Sequence, residues 1–185
     1  MSQNQVAAED VIRRIREHWP EIAERIRPSV IYLYRARDLL LDDVEQLLKP
    51  LGMRSSDLDV LAALRAQPKP WQLTPTELYR ALLLSSGGLT KILYRLKEAG
   101  WIDRPANPED GRSKLVRLSR AGTRQLDKAL QVIFEHEDHK LDVLSAKEQQ
   151  ELGRLLGKLV GEWEKNRLQS ADSVDRFSAA CSLQG

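Results

Sequence analysis

The sequence predicts a mainly α-helical fold with a small antiparallel wing of two or three strands. Apolar residues recur at steps of three and four over most of residues 9–64 and 120–163, which is the period of a helix buried on one face. Between these regions, two short extended segments flank the turn sequence NPEDG at residues 107–111. With 185 residues and a hydrophobic fraction of 42%, the chain is long enough to bury a core.

The central segment begins with a clearly marked helix start. We expect Thr74 to cap this helix, Pro75 to occupy its first turn, where an amide hydrogen is not needed, and Glu77 to complete a capping box. Ser85 or Ser86 would cap a second helix. The apolar residues that follow share one helical face, and they are Leu89, Ile92, Leu93 and Leu96. The segment is therefore predicted to form two helices joined by a tight turn.

The opposite face of the second helix carries small and polar residues, namely Gly87, Thr90, Lys91, Tyr94 and Arg95. It offers hydrogen-bond donors and no large aliphatic group, as a helix that enters the major groove of DNA requires. Gly87 and Gly88 would permit close approach of the backbone, since a glycine within a helix costs about 1 kcal/mol relative to alanine. An ordinary solvent-exposed helix face is the alternative interpretation.

A two-stranded wing with a basic loop is predicted next. Gly100 would end the second helix in a left-handed conformation, and residues 101–104 would resume as a strand. Residues 114–118 return as the second strand, and the loop tip carries Asp110, Arg112 and Lys114. We expect Val116 and Leu118 on one face of this strand, and Leu115 and Arg117 on the other. An arginine on such a tip suits the narrow minor groove beside a recognition helix. These patterns favour a winged helix-turn-helix that binds duplex DNA.

From Leu73 to Gly122 the segment resembles the DNA-binding core of the MarR family of bacterial transcriptional regulators. The similarity is carried by LTPTELYRALLLSSGGLT, by RLKEAGWIDRPANPEDGRSKLVRLSRAG, and most specifically by DGR, KLVRLS and AG around the wing. The resemblance implies that the face beginning at Ser86 lies in the major groove, and that Arg112 is the wing arginine, oriented by Asp110. The predicted DNA contacts are Thr74, Thr76, Ser85, Ser86, Gly87, Gly88, Thr90, Lys91, Tyr94, Arg95, Asp110, Arg112 and Lys114.

The charge distribution supports the location of the predicted DNA-binding segment. The whole chain carries a formal net charge of only +2, which by itself does not indicate a nucleic-acid partner. Between Ser85 and Arg124, however, nine basic residues face four acidic ones. The positive charge is therefore concentrated in the segment that is predicted to contact DNA.

Further helices are predicted before the central segment. Residues 9–26 form an amphipathic pattern that Pro20 interrupts, and Pro28 opens a longer helix that ends at Pro50 and Gly52. Ser55 or Ser56 is expected to cap the next helix. Residues 67–72, which contain two prolines, are interpreted as the linker to the helix that Thr74 caps.

After the wing, Ser119 is expected to cap a long helix, and Ser145 with Glu148 forms a capping box for the last one. The surplus apolar faces of the terminal helices predict a twofold homodimer, with a folded-back monomer as the alternative. Two recognition helices about 34 Å apart would enter successive major grooves of a near-palindromic operator. The predicted domains are residues 1–52, N-terminal dimerisation helices with an extra first helix; 53–118, the DNA-binding domain; 119–168, C-terminal dimerisation helices; and 169–185, a flexible tail.

The family resemblance also implies a small effector, often aromatic or anionic, bound between the dimerisation helices and the DNA-binding domain. Release of DNA by such an effector would make the protein a ligand-responsive repressor. The candidate lining residues are Trp19, Tyr34, Arg37, Asp59 and Arg95. Each of them also has a structural interpretation, as a core aromatic residue or as a member of a surface ion pair.

Other functions are less well supported. His136 and His139 lie three residues apart among acidic side chains, so a metal-responsive regulator is an alternative, although a solvated face is favoured and no metal site is predicted. Cys181 as an oxidation sensor is a further alternative. The chain contains no GxSxG, HExxH, GxxxxGK[ST] or GxGxxG sequence, so we predict neither an enzyme nor a cofactor.

The N-terminus has no secretory pattern, and no apolar run is long enough to span a membrane, which favours a cytoplasmic protein without a membrane partner. Duplex DNA, a second copy of the chain and a small effector are the predicted partners. A winged-helix module that binds protein or serves an architectural role is the alternative function.

Overall fold

The computed structural model describes the backbone of residues 6–82, 86–110 and 113–181, and their side chains except at residues 86, 87 and 167–181. It is mainly helical with a small antiparallel sheet, which confirms the predicted fold class. The helices are α1 (Ala8–His18), α2 (Pro20–Ala23), α3 (Pro28–Leu48), α4 (Ser55–Arg65), α5 (Pro75–Leu82), α6 (Ser86–Glu98), α7 (Arg120–Leu141) and α8 (Ala146–Cys181). The strands are β1 (Gln72–Leu73), β2 (Ile102–Asp103) and β3 (Val116–Leu118).

Prolines and glycines set the boundaries of the N-terminal helices as predicted. Pro20 and Pro28 each begin a helix, because their fixed φ suits a first turn that needs no amide donor. After α3, a short 3₁₀ turn over Lys49–Leu51 ends at Gly52, whose φ of 63° is left-handed. The Tyr32 hydroxyl donates a 2.6 Å hydrogen bond to Glu9, which attaches the extra helix α1 to α3.

The start of α4 differs from the prediction. The N-cap is Arg54, not Ser55 or Ser56, and the Arg54 amide donates a 3.0 Å hydrogen bond to the carboxylate of Asp57. Ser55 is the first helical residue, and both its amide and its hydroxyl bond to Glu45 of α3. Asp57 is fully buried, so its carboxylate lies inside the protein rather than at the surface.

The sheet has three strands in the order β1-β3-β2, with both pairs antiparallel. Strand β1 comes from the end of the expected linker, since Gln72 pairs with Arg117 and Leu73 with Val116. The predicted alternation along the last strand is also incomplete. Leu115 precedes β3 and is buried, as are Val116 and Leu118.

The chain divides into two compact units, Met1–Phe134 and Glu135–Gly185. The boundaries at residues 52 and 118 stay a prediction. Leu48 of α3 and Leu126 of α7 belong to the same buried cluster as Leu61 and Leu96, so the central segment shares one core with its flanking helices. The buried cluster comprises Leu48, Met53, Val60, Leu61, Leu64, Leu78, Leu89, Ile92, Leu93, Leu96, Ile102, Val116, Leu118, Leu126, Ala129 and Ile133.

The second unit contains the capping box that was predicted at Ser145. The Ser145 amide and hydroxyl donate hydrogen bonds of 2.9 and 2.6 Å to the Glu148 carboxylate. The same hydroxyl accepts a 3.4 Å hydrogen bond from the Glu148 amide. These hydrogen bonds lower the pKa of the Glu148 carboxyl. Helix α8 continues through the expected tail as far as Cys181, and residues 182–185 lie outside the described part. Within the described chain, none of the helices has the length and apolar character of a membrane span.

Candidate nucleic-acid interface

The capping box at the start of α5 is confirmed. The Thr74 amide and hydroxyl donate hydrogen bonds of 2.7 and 2.8 Å to Glu77, and the Glu77 amide donates to the Thr74 hydroxyl at 3.2 Å. The bond from the backbone amide and then that from the side chain lower the pKa of the Glu77 carboxyl. This arrangement orders the backbone that carries the predicted DNA contacts Thr74 and Thr76.

Helix α6 has the two faces that its sequence predicts. Leu89, Ile92, Leu93 and Leu96 are buried, whereas Thr90, Lys91 and Tyr94 are exposed. Tyr94 is 69% exposed, which is unusual for an aromatic residue beside a packed core and leaves its ring and hydroxyl available to a partner. Ser85 lies outside the described residues, as does the side chain of Ser86, and Gly88 is half-buried. The exposed, polar side of α6 is thus the candidate surface for a major groove.

Arg95 does not belong to that exposed face. Its Nε donates to both carboxylate oxygens of Asp57 at 3.0 and 3.1 Å, and its Nη2 lies 2.5 Å from Oδ1. Only 1% of the Asp57 side chain and 32% of the Arg95 side chain are exposed. The Asp57 carboxylate therefore joins the start of α4 to the middle of α6, and Arg95 orients the helix rather than extending towards a partner.

The base of the wing is held by contacts that the sequence analysis did not identify. Ala106 and Lys114 form an isolated antiparallel bridge beyond β2 and β3. The Asn107 amide group donates to the Ser113 hydroxyl at 3.0 Å and accepts the Glu109 amide at 3.1 Å. Asn followed by Pro is a known turn sequence, so the local pattern could have indicated this role. Asp110 and Lys114 are exposed, and residues 111 and 112 lie outside the described part, so the predicted orientation of Arg112 by Asp110 stays a prediction.

A cavity of about 510 Å³ lies between α5, α6 and the wing. Arg104 is one of its lining residues: its Nη2 donates to the Lys114 carbonyl at 3.2 Å, while its buried Nε has no hydrogen-bond partner among the described residues. Partial burial lowers the pKa of the Arg104 guanidinium. Three cationic side chains line the space, which indicates an affinity for anions. The lining residues are Pro75, Thr90, Leu93, Tyr94, Lys97, Arg104 and Lys114.

No two of the five residues that were expected to line an effector pocket border the same described cavity. Trp19 is 56% exposed and borders a separate cavity of about 440 Å³ on the extra helix, which none of the other four candidates lines. Tyr34 is exposed, and Arg37 pairs with its neighbour Asp38 at 3.1 Å. Asp59 is also exposed, with a carboxyl pKa that partial desolvation and then the nearby Glu45 raise.

A metal site is not supported within the described chain. His139 Nδ1 lies 3.5 Å from Asp142 Oδ2, but no group of three or more His, Cys, Asp or Glu side chains in that part could hold an ion.

The arrangement of α5, α6 and the three-stranded wing on one core is that of winged helix-turn-helix DNA-binding proteins. The comparisons with known proteins agree. The model of the MarR family matches residues 51–113. An HTH-type transcriptional repressor of Mycobacterium tuberculosis is 31% identical over 132 residues, which cover 71% of this chain and 93% of that protein. The chain belongs to the MarR family of winged helix-turn-helix transcriptional regulators.

Two further relatives extend the comparison. The HTH-type transcriptional regulator PecS of Dickeya dadantii is 26% identical over 160 residues, which cover 85% of this chain and 95% of PecS. A mutant MarR from Escherichia coli, solved in complex with operator DNA, is 30% identical with a TM-score of 0.58 and covers 71% of this chain and 95% of that chain.

Proposed function

We propose that this protein is a repressor that binds a near-palindromic operator as a homodimer and is released from it by a small anionic effector. The observation that carries the proposal is the exposed face of α6. Thr90, Lys91 and Tyr94 lie on this face, and the opposite face of the same helix is buried in the core. The similar MarR chain that was solved with operator DNA supports duplex DNA as the partner.

The first test measures the contribution of the wing. Arg112→Ala is expected to weaken binding to duplexes that wild-type protein selects from a random pool, by roughly 10- to 100-fold, because one guanidinium contact is worth about 1–3 kcal/mol. Binding should also weaken steeply with salt. Arg154→Ala, which removes an arginine from α8, is the matched control and should bind as wild type does. Equal binding by both variants at every salt concentration would contradict a DNA-contacting wing.

The apolar face of α8 supports the homodimer. Leu152, Leu155, Leu159 and Trp163 recur at steps of three and four, and Val160 lies next to Leu159. Each of the five is between 39% and 54% exposed in the single chain. Burial of apolar surface contributes about 25 cal/mol per Å², so a second copy that covers this face would be stabilised substantially. The two α8 faces would be related by a twofold axis.

Leu159→Glu is therefore expected to convert the dimer into a monomer at micromolar concentration, because it places a carboxylate in the apolar contact. Sedimentation velocity would report the change. Gln150→Glu adds the same charge on the opposite side of the same helix and should leave the dimer intact. A dimer that persists in Leu159→Glu would exclude α8 as the interface.

The cavity around Arg104 supports an anionic effector. Its volume of about 510 Å³ suits a small molecule. Because Thr90 and Tyr94 of the α6 face also line it, an anion bound there would compete with a DNA phosphate. The five residues that were proposed from the sequence remain a less favoured alternative.

Benzoate is expected to raise the melting temperature of the protein and to weaken operator binding, whereas benzyl alcohol, which has similar size and no charge, should do neither. Arg104→Ala should abolish the response to benzoate, because it removes the guanidinium whose Nε faces no partner in the described structure. Thermal shift and fluorescence anisotropy would measure the two effects. An unchanged response in Arg104→Ala would place the effector elsewhere.

A further inference from the structure

Hydrogen bonds of Ser119 join the end of α6 to the start of α7. The Ser119 amide donates to the Trp101 carbonyl at 3.0 Å, and its hydroxyl donates to the Gly100 carbonyl at 2.7 Å. The same hydroxyl accepts the Gly122 amide at 2.9 Å, which caps α7 as the sequence predicts. One side chain therefore binds both the backbone that leaves the recognition helix α6 and the backbone that begins α7.

Gly122 brings these two backbones into direct contact. A Cβ atom at this buried position would lie 2.0 Å from the carbonyl oxygen of Trp101 and 2.9 Å from its carbonyl carbon. Both atoms belong to the main chain and cannot rotate away as a flexible side chain could. The first turn of α7 and the residues that end α6 must therefore move together.

The hydrogen bonds at Ser119 depend more strongly on the angle between the two helices than the apolar packing around them does. Leu126 and Ile133 of α7 contribute to the shared core through apolar contacts, which tolerate small rotations. Hydrogen bonds to Gly100 and Trp101 weaken steeply when their angles change. The angle between α6 and α7 thus depends most on Ser119 and Gly122.

We propose that Ser119 and Gly122 are positioning residues that determine the spacing between the two half-sites that the homodimer binds. This inference rests on the proposed function. Helix α6 has 13 residues and is about 20 Å long, so a rotation of about 10° at its C-terminal end would move its N-terminal end by about 3.4 Å. That distance is about the rise of one base pair, which makes half-site spacing a sensitive measure of the angle.

The experiment uses the full chain and a duplex that wild-type protein selects from a random pool. Dissociation constants are measured for that duplex, for versions with the half-sites moved one base pair closer or farther apart, and for a single half-site. The variants are Ser119→Ala, Ser119→Thr, which keeps the hydroxyl, and Gly122→Ala. Ser145→Ala is the matched control, because it removes an equivalent cap from α8.

Ser119→Ala is expected to reduce the preference for the selected spacing by about fivefold, the factor that corresponds to one net hydrogen bond. Gly122→Ala should also reduce it, because the added Cβ displaces the Trp101 main chain. The affinity of both variants for the single half-site should stay unchanged. Ser119→Thr and Ser145→Ala should keep the wild-type preference. If Gly122→Ala does not fold, the comparison of Ser119→Ala with Ser119→Thr tests the inference by itself.

A uniform loss of affinity by Ser119→Ala at every spacing and at the half-site would show a merely structural role and overturn the inference. If wild-type protein itself shows no spacing preference, the dimeric mode of binding in the proposed function fails instead. The two failures are therefore distinguishable.

Discussion

Replacing Arg95 with methionine is expected to lower the free energy of unfolding by about 3–5 kcal/mol, because it leaves a buried carboxylate without its counter-charge. The Asp57 side chain is 1% exposed and receives hydrogen bonds from two Arg95 nitrogens. Because methionine fills a similar volume, the loss of stability would result from the missing positive charge rather than from a cavity. Urea unfolding at neutral pH, monitored by circular dichroism, would measure it.

Two controls separate this effect from a general loss of arginine. Arg154→Met breaks the exposed pair with Glu151 and should leave the urea midpoint unchanged. The double variant Asp57→Asn with Arg95→Met should regain most of the loss, since it removes the unpaired charge and keeps an acceptor for the Arg54 amide. If Arg95→Met unfolds at the same urea concentration as Arg154→Met, water must reach Asp57 and the pair would not hold α6 in place.

Lys91→Glu is expected to reduce operator affinity by more than about 100-fold, because it replaces a phosphate-binding cation with a carboxylate that repels the duplex. Lys91 lies on the exposed face of α6, between Thr90 and Tyr94. The slope of log affinity against log salt should also become shallower by about one, since one fewer counterion is released on binding. Fluorescence anisotropy over a range of salt concentrations would give both quantities.

Lys158→Glu on α8 changes the net charge by the same amount and should leave affinity and salt slope close to wild type. Undiminished binding by Lys91→Glu would contradict insertion of α6 into the major groove. A protein partner captured equally by wild-type protein and Lys91→Glu at moderate salt would favour the protein-docking alternative.

Features that depend on neighbours in the sequence were predicted correctly. The capping boxes at Thr74 and Ser145 join residues three apart, and the left-handed Gly100, with φ of 69°, closes the helix before it. The alternation of buried and exposed residues along α6 follows from helical periodicity alone. The fold class could therefore be predicted because its elements are defined by local rules.

Features that depend on distant residues were not predicted. Arg95 lies at the edge of the polar face by periodicity, but its partner Asp57 is 38 residues away in the sequence, and only tertiary packing reveals the pair. Strand β1 has two residues and exists because β3 offers a free edge, so nothing within residues 67–72 indicates it. The cavity that Arg104 lines combines α5, α6 and the wing in the same way.

The contact at Gly122 bears on how such proteins can be recombined. Consider a chimera in which the DNA-binding segment comes from a relative and is joined at Leu118, where the sequence suggests a domain boundary. The first turn of α7 would then come from the host protein. Any host residue larger than glycine at position 122 would collide with the main chain at Trp101. Chimeric regulators should therefore exchange the donor segment together with the following turn, so that the glycine and the carbonyl it touches come from the same parent.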